Sequence, residues 1–197
     1  QKDSVKAAYI GASNGDLHEF YNLFVAAMGN IGIINCRMIH STFSKDDQDF
    51  LEKDDIVLLS GGDVEQGWNV FEETGLKEVI IRKHEEGATL IGISAGAIQL
   101  GLCGYREEED REDQVFDTFQ FVPYIIGVHE EKGDWEGLRK TVLFKGEYVK
   151  GIGIPTGGGL IYHPDQTVEP IRFPLYEFSI KDNQIIQNLL MPDLKLE

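Results

Sequence analysis

The sequence predicts an α/β fold: a three-layer arrangement with a mostly parallel sheet, helices on both faces, and short antiparallel strands near the C-terminus. Three observations predict it. Apolar runs of strand length alternate with helix-spaced segments through the first half of the chain. Glycine-rich turns close several of those runs. The second half exchanges this alternation for scattered glycines and short alternating apolar stretches. A helix between two strands returns the chain in the same direction, so repeated alternation means parallel strands covered on both faces.

Each element follows from its residues. Residues 5–10 read as a buried strand, and Gly11-Ala12-Ser13-Asn14-Gly15 as the turn after it. Residues 16–28 carry Leu17, Phe20, Tyr21, Phe24 and Met28 at helical spacing, and Gly29 ends that helix. Residues 31–39 make a second strand, and Ser44 is placed to cap a polar helix over 45–53. A third strand over 55–59 closes on Ser60-Gly61-Gly62-Asp63. Residues 64–86 read as mostly helical, and 88–93 as a fourth strand. Beyond about residue 103 the pattern changes. Residues 106–114, REEEDREDQ, form a charge-dense surface loop; 121–128 read as a strand and 134–144 as a short helix. From Gly151 onward short antiparallel strands are expected, among them 159–163 and 167–172. No repeat, low-complexity tract or linker interrupts the chain, so residues 1–197 are read as one domain.

Composition narrows the function classes. A chain of 197 residues can bury one sizeable core. Its net charge of -16 argues against nucleic acid or an anionic membrane as a partner. No apolar run approaches the ~20 residues that span a bilayer, and the opening QKDSVKAAYIG lacks the apolar core of a signal peptide. Cys36 and Cys103 lack metal-ligand spacing and read as buried free thiols, so a reducing, cytoplasmic setting is expected. No metal and no organic cofactor is implied.

In open α/β sheets the working groups gather at the carboxyl ends of the strands. That rule selects the loops at 11–15, 60–63 and 92–96. The last of these reads Gly92-Ile93-Ser94-Ala95-Gly96, a G-x-S-x-G stretch lying between a strand and a helix. In that setting the glycines allow a sharp turn and the serine hydroxyl is pushed into the open as a nucleophile. The helix starting at Ala95 leaves its backbone N–H free to receive a developing oxyanion. Ser60-Gly61-Gly62-Asp63, ending the preceding strand, could turn a second N–H to the same place. A serine nucleophile also needs a base. Of the five histidines, His18 and His84 lie in polar helical stretches and His40 follows a strand without a companion motif. His129 and His163 each sit at a strand end, and position alone leaves both in play.

The blocks LLSGGD, GISAGA, IIGVHEE and GIGIPTGGGLI occur in an order through which the sequence resembles the peptidase E family. The resemblance runs from the first strand to about residue 172. It implies a class I glutamine amidotransferase-like fold, shared with the related cyanophycinases, and a serine dipeptidase activity on small peptides or amides. It also implies Ser94 as nucleophile, His129 as general base, and the amides of Gly62 and Ala95 as oxyanion donors. A glutamine amidotransferase would carry cysteine at the elbow; serine here points away from ammonia release. Three departures bear on the site. Thr156 stands where the family's late Pro-Glu-Gly block has its glutamate; the resemblance also implies a triad acid in the loop after the elbow helix, where Glu109 or Asp110 falls. Asp63 replaces the family's asparagine. Arg139 corresponds to one of the arginines that hold an acidic substrate group, with Glu136 beside it. Substrate preference is therefore expected to differ from aspartyl dipeptides. Two other readings remain: a catalytically weakened binder or regulator of small molecules, and an α/β-hydrolase esterase using His163. A homodimer is the expected assembly.

Overall fold

The computed structural model describes residues 5–106 and 114–193. The chain divides into two compact units, residues 1–99 and 100–197.

In the first unit, β1 (Lys6–Ile10), β2 (Asn35–Ile39), β3 (Ile56–Leu59) and β4 (Thr89–Gly92) form one sheet in the order β2-β1-β3-β4. All its pairings are parallel. The connecting helices are α1 (His18–Asn30), α2 (Lys45–Leu51), α3 (Val64–Thr74) and α4 (Leu76–Glu85). Strands covered on both faces must be apolar throughout, and Ala7, Ala8, Tyr9 and Ile10 are all buried. Ala7, Tyr9, Met38 and Leu58 meet Phe24 and Met28 of α1 on one face. Their neighbours Ala8, Ile10, Ile39, Val57 and Leu59 alternate to the other face and are also buried. Because the strand order reverses at β1, the crevice expected of such sheets lies outside the carboxyl ends of β1 and β3.

Local chemistry moves two predicted boundaries. The spacing predicts a strand from residue 31, yet β2 starts at Asn35. The Ile31 and Ile33 amides donate to the Met28 carbonyl and the Gly32 amide to Gly29, so this stretch closes α1 and cannot join a sheet. The helical run over 64–86 is two helices, because Gly75, at φ 78°, ends α3 and begins α4. Ser44 caps α2 as expected, in a reciprocal pair with Asp47.

In the second unit, β5 (Cys103–Arg106) and β6 (Gln114–Asp117) pair antiparallel, and residues 107–113 of the predicted acidic loop lie outside the described residues. The main sheet runs β12-β11-β8-β7, from β7 (Tyr124–Val128), β8 (Lys150–Ile154), β11 (Leu175–Lys181) and β12 (Gln184–Leu190). The strand at 150–154 departs from the antiparallel expectation. It pairs parallel with β7, because helix α6 (Glu136–Lys145, numbered after α5 at Ala95–Leu100) makes the crossover between them. The antiparallel character holds for β8–β11, β11–β12 and the hairpin of β9 (Gly159–Tyr162) with β10 (Val168–Ile171). Cys103, Ile125, Trp135, Leu138, Val142 and Phe178 form the core of this unit. Cys103 is buried, as expected, whereas Cys36 is only half-buried.

A buried ion pair makes the first unit sensitive to pH. Asp54 lies 3.5 Å from Lys83, with both side chains nearly inaccessible. Burial pushes the Asp54 carboxyl from its ordinary 3.8 up to about 7, against the opposing pull of Lys83. Through that window the folded chain keeps a proton that the unfolded chain releases, so stability falls as pH rises. Asp54→Asn removes this loss. Its stability relative to wild type, from urea unfolding, should therefore rise between pH 5 and pH 8; a difference independent of pH contradicts the assignment.

Candidate active site

The G-x-S-x-G stretch forms a tight reversal. β4 ends at Gly92 and α5 begins at Ala95, leaving Ile93 and Ser94 to turn the chain. A Cβ on Gly92 would lie 2.5 Å from the Gly96 carbonyl oxygen, and one on Gly96 would lie 2.2 Å from the Leu59 carbonyl oxygen. Neither position can carry a side chain. The Gly96 amide donates to the carbonyls of Ser60 (3.1 Å) and Ile93 (2.9 Å), while Ala97 and Ile98 donate to that of Ser94. Held in this way, Ser94 takes φ 51°, the left-handed region. That conformation costs a side-chain-bearing residue about 1–2 kcal/mol. Such strain persists where the surroundings over-determine it, and it clusters at active sites.

The other two predicted loops meet this elbow. The Ser60 amide donates to Ile10 at 3.1 Å and the Asp63 amide to Ser13 at 2.7 Å. Gln99, fully buried on α5, donates to the Ser13 hydroxyl (3.1 Å) and to the Val64 carbonyl (3.0 Å). A Cβ on Gly61 would stand 3.2 Å from the Ser94 Cβ, so these two strand ends lie side by side. Gly62, at φ 134°, comes so close to the first loop that a Cβ there would lie 2.0 Å from the Ser13 oxygen. Among the described residues, no oxygen accepts from the Gly62 or Ala95 amide. Both remain available as donors. Asp63 caps α3 by accepting from the Gln66 amide at 2.8 Å.

The second unit carries the candidate bases. His129 follows β7 directly, is exposed, and also adopts a left-handed conformation, φ 62°. Its amide donates to Ile154 at 3.2 Å, extending the β7–β8 pairing by one step. Its two acidic neighbours have separate partners. Glu130 accepts from the Leu138 amide at 3.1 Å and so satisfies the first turn of α6. Glu131 accepts from the Thr156 amide at 3.3 Å. His163 lies 2.9 Å from Glu169 across the β9–β10 hairpin. Arg139 pairs with Asp134, and Glu136 with Lys140; Arg139, Asp134 and Glu136 line one open groove. Glu109 lies outside the described residues. Among the described residues, no three His, Cys, Asp or Glu side chains converge as a metal site would. Residue types and spacing gave no sign of Gln99 or Glu131, whose partners are distant in sequence.

Residues 1–168 match the model of peptidase family S51. Among solved structures, a peptidase from an acI-B1 Actinobacterium superposes with a TM-score of 0.70 at 15% identity, over 95% of this chain and 81% of that one. A protein from Listeria monocytogenes EGD-e, described as a peptidase E, gives a TM-score of 0.58 at 15% identity, over 96% of this chain and 89% of that one. At such identity these likenesses speak for the fold. Comparison with curated proteins gave no match.

The left-handed conformation at position 94 can be tested without an assay of function. Glycine tolerates φ 51° and alanine does not. Ser94→Gly should therefore unfold at higher denaturant than Ser94→Ala, by about 1 kcal/mol; the reverse order would mean that the elbow is unstrained.

Proposed function

The chain belongs to peptidase family S51, and from that premise we propose that it cleaves short peptides or small amides with Ser94 as nucleophile and His129 as general base. The observation that carries this reading is the strained serine at the strand-to-helix reversal. Beside it lie two backbone amides, at Gly62 and Ala95, with no acceptor among the described residues. His129 is favoured over His163 because Glu169 holds the His163 Nε2, the nitrogen that would have to reach the serine, whereas among the described residues neither nitrogen of the His129 ring has a hydrogen-bond partner. The pairing requires the two units to act as one catalytic domain over residues 1–197.

The chemistry follows from those roles. The Ser94 Oγ attacks the substrate carbonyl carbon as His129 takes its proton, and the carbonyl oxygen becomes an oxyanion received by the Gly62 and Ala95 amides. When the intermediate collapses, the leaving amine departs with the proton from His129, and the acyl group stays on Ser94 as an ester. A water then attacks the ester; His129 takes the water's proton and returns it to Ser94 as the acid product leaves. The step uses neither metal nor organic cofactor. Asp63 and Arg139 are assigned to substrate recognition, as an acceptor at the end of β3 and a cation at the groove on α6. The cytoplasm is the proposed setting and a homodimer the proposed assembly.

A panel of dipeptides varied at the N-terminal residue, with Ser94→Ala as blank, tests the reading. Wild type should hydrolyse a subset of the panel, and His129→Ala should lose activity on the order of a thousand-fold. His163→Ala should stay near wild type; the opposite pattern would transfer the base to His163.

A further inference from the structure

We propose that Glu131 is the carboxylate that orients the His129 imidazole, accepting from its Nδ1–H and leaving Nε2 to act on Ser94. The proposal rests on His129 being the base. Its starting point is an imbalance at Glu131. Oε1 is held by the Thr156 amide at 3.3 Å, but Oε2 is shut off from solvent and has no hydrogen-bond partner. A shielded carboxylate oxygen without a donor is an unfavourable arrangement that native proteins seldom leave unused. Two residues before it stands a ring that also has no partner among the described residues, and an imidazole offers the N–H that such an oxygen lacks.

The surrounding structure holds Glu131 in place for this role. Glu130, the adjacent carboxylate, is committed to the Leu138 amide and cannot serve. The backbone between His129 and α6 is pinned by Trp135, which is 2% exposed and lies against Gly153, Tyr176 and Phe178. Hydrogen bonding to Thr156, with a smaller pull from His129, holds the Glu131 carboxyl below the usual glutamate range. At neutral pH it is therefore ionised, and an ionised carboxylate can only accept. Accepting from Nδ1–H selects the one neutral tautomer whose Nε2 is free to take the serine proton. Hydrogen bonds of this kind are often long before substrate arrives and tighten in the reacting complex. Glu131 is thus a positioning residue that acts through His129.

The test uses the full chain and a fluorophosphonate probe, whose rate of reaction with Ser94 needs no knowledge of the substrate. Glu131→Gln should lower that rate by up to about 10⁴-fold, the loss seen when a triad carboxylate becomes an amide. The acid limb of its pH–rate profile should move to lower pH, because the imidazolium has lost an anion beside it. Glu131→Asp should fall between the two. In ¹⁵N spectra the His129 ring of wild type should be protonated at Nδ1, and Glu131→Gln should lose that preference. A Glu131→Gln protein with wild-type rate and pH profile, while His129→Ala is inert, overturns the proposal and leaves the base assignment standing. A His129→Ala protein as fast as wild type overturns both. Should Glu131→Gln fail to fold, the wild-type spectrum decides alone: a His129 ring protonated at Nε2 overturns the proposal.

Discussion

The start of α5 approaches the end of β3 so closely that a methyl group at position 96 would sit 2.2 Å from the Leu59 carbonyl oxygen. Much of the first unit's site depends on that approach. It lets the Gly96 amide reach Ser60, which ties the helix to the loop carrying Gly61 and Gly62. It leaves only Ile93 and Ser94 to reverse the chain, and the reversal forces the serine into the left-handed region. The parallel sheet supplies the rest. Its order places β3 between β1 and β4, so the loops after three strands share one edge. Ser13 then serves as the common acceptor, taking hydrogen bonds from Asp63 and Gln99. A serine held by so many backbone contacts has little freedom to relax, and such preorganisation is what the proposed catalysis needs.

The second unit follows a similar logic with different parts. His129, Asp134 and Trp135 all adopt positive φ without being glycine, at about 1–2 kcal/mol each. What offsets that strain is burial. The Trp135 indole packs where a Cβ on Gly153 would fall 2.6 Å from its ring, and its ring centroid is 5.1 Å from that of Tyr176. Fully burying a large aromatic side chain contributes a few kcal/mol, enough to hold a short strained connection. The segment from His129 to α6 is therefore fixed at both ends, by the β7–β8 pairing and by the tryptophan.

Much of this is legible in the residues, and the division between what is and is not has a physical cause. The parallel strands show because strands buried on both faces are apolar at every position. The elbow shows because close backbone approach demands glycine at 92 and 96. Where reading by period fails, local backbone chemistry has won: the close of α1 takes Ile31 and Ile33 out of a strand, and Gly75 divides one helical run into two. The turn between β11 and β12 carried a signal in Asp182-Asn183, both at positive φ in a two-residue hairpin. Two strand-end histidines looked equivalent in sequence; what separates them is Glu169, brought to His163 by hairpin register. The position of Glu131 depends on a main-chain N–H 25 residues away, and no side-chain pattern reports such a contact.

Membership of the family rests on residues 1–168; the proposed catalysis rests on one hydroxyl. Treating the native protein with a fluorophosphonate and mapping the adduct by peptide mass spectrometry tests that most directly. The account predicts a single adduct on Ser94, absent from Ser94→Ala. An unmodified Ser94 in a preparation that hydrolyses peptides, with hydrolysis unaffected by Ser94→Ala, would contradict it.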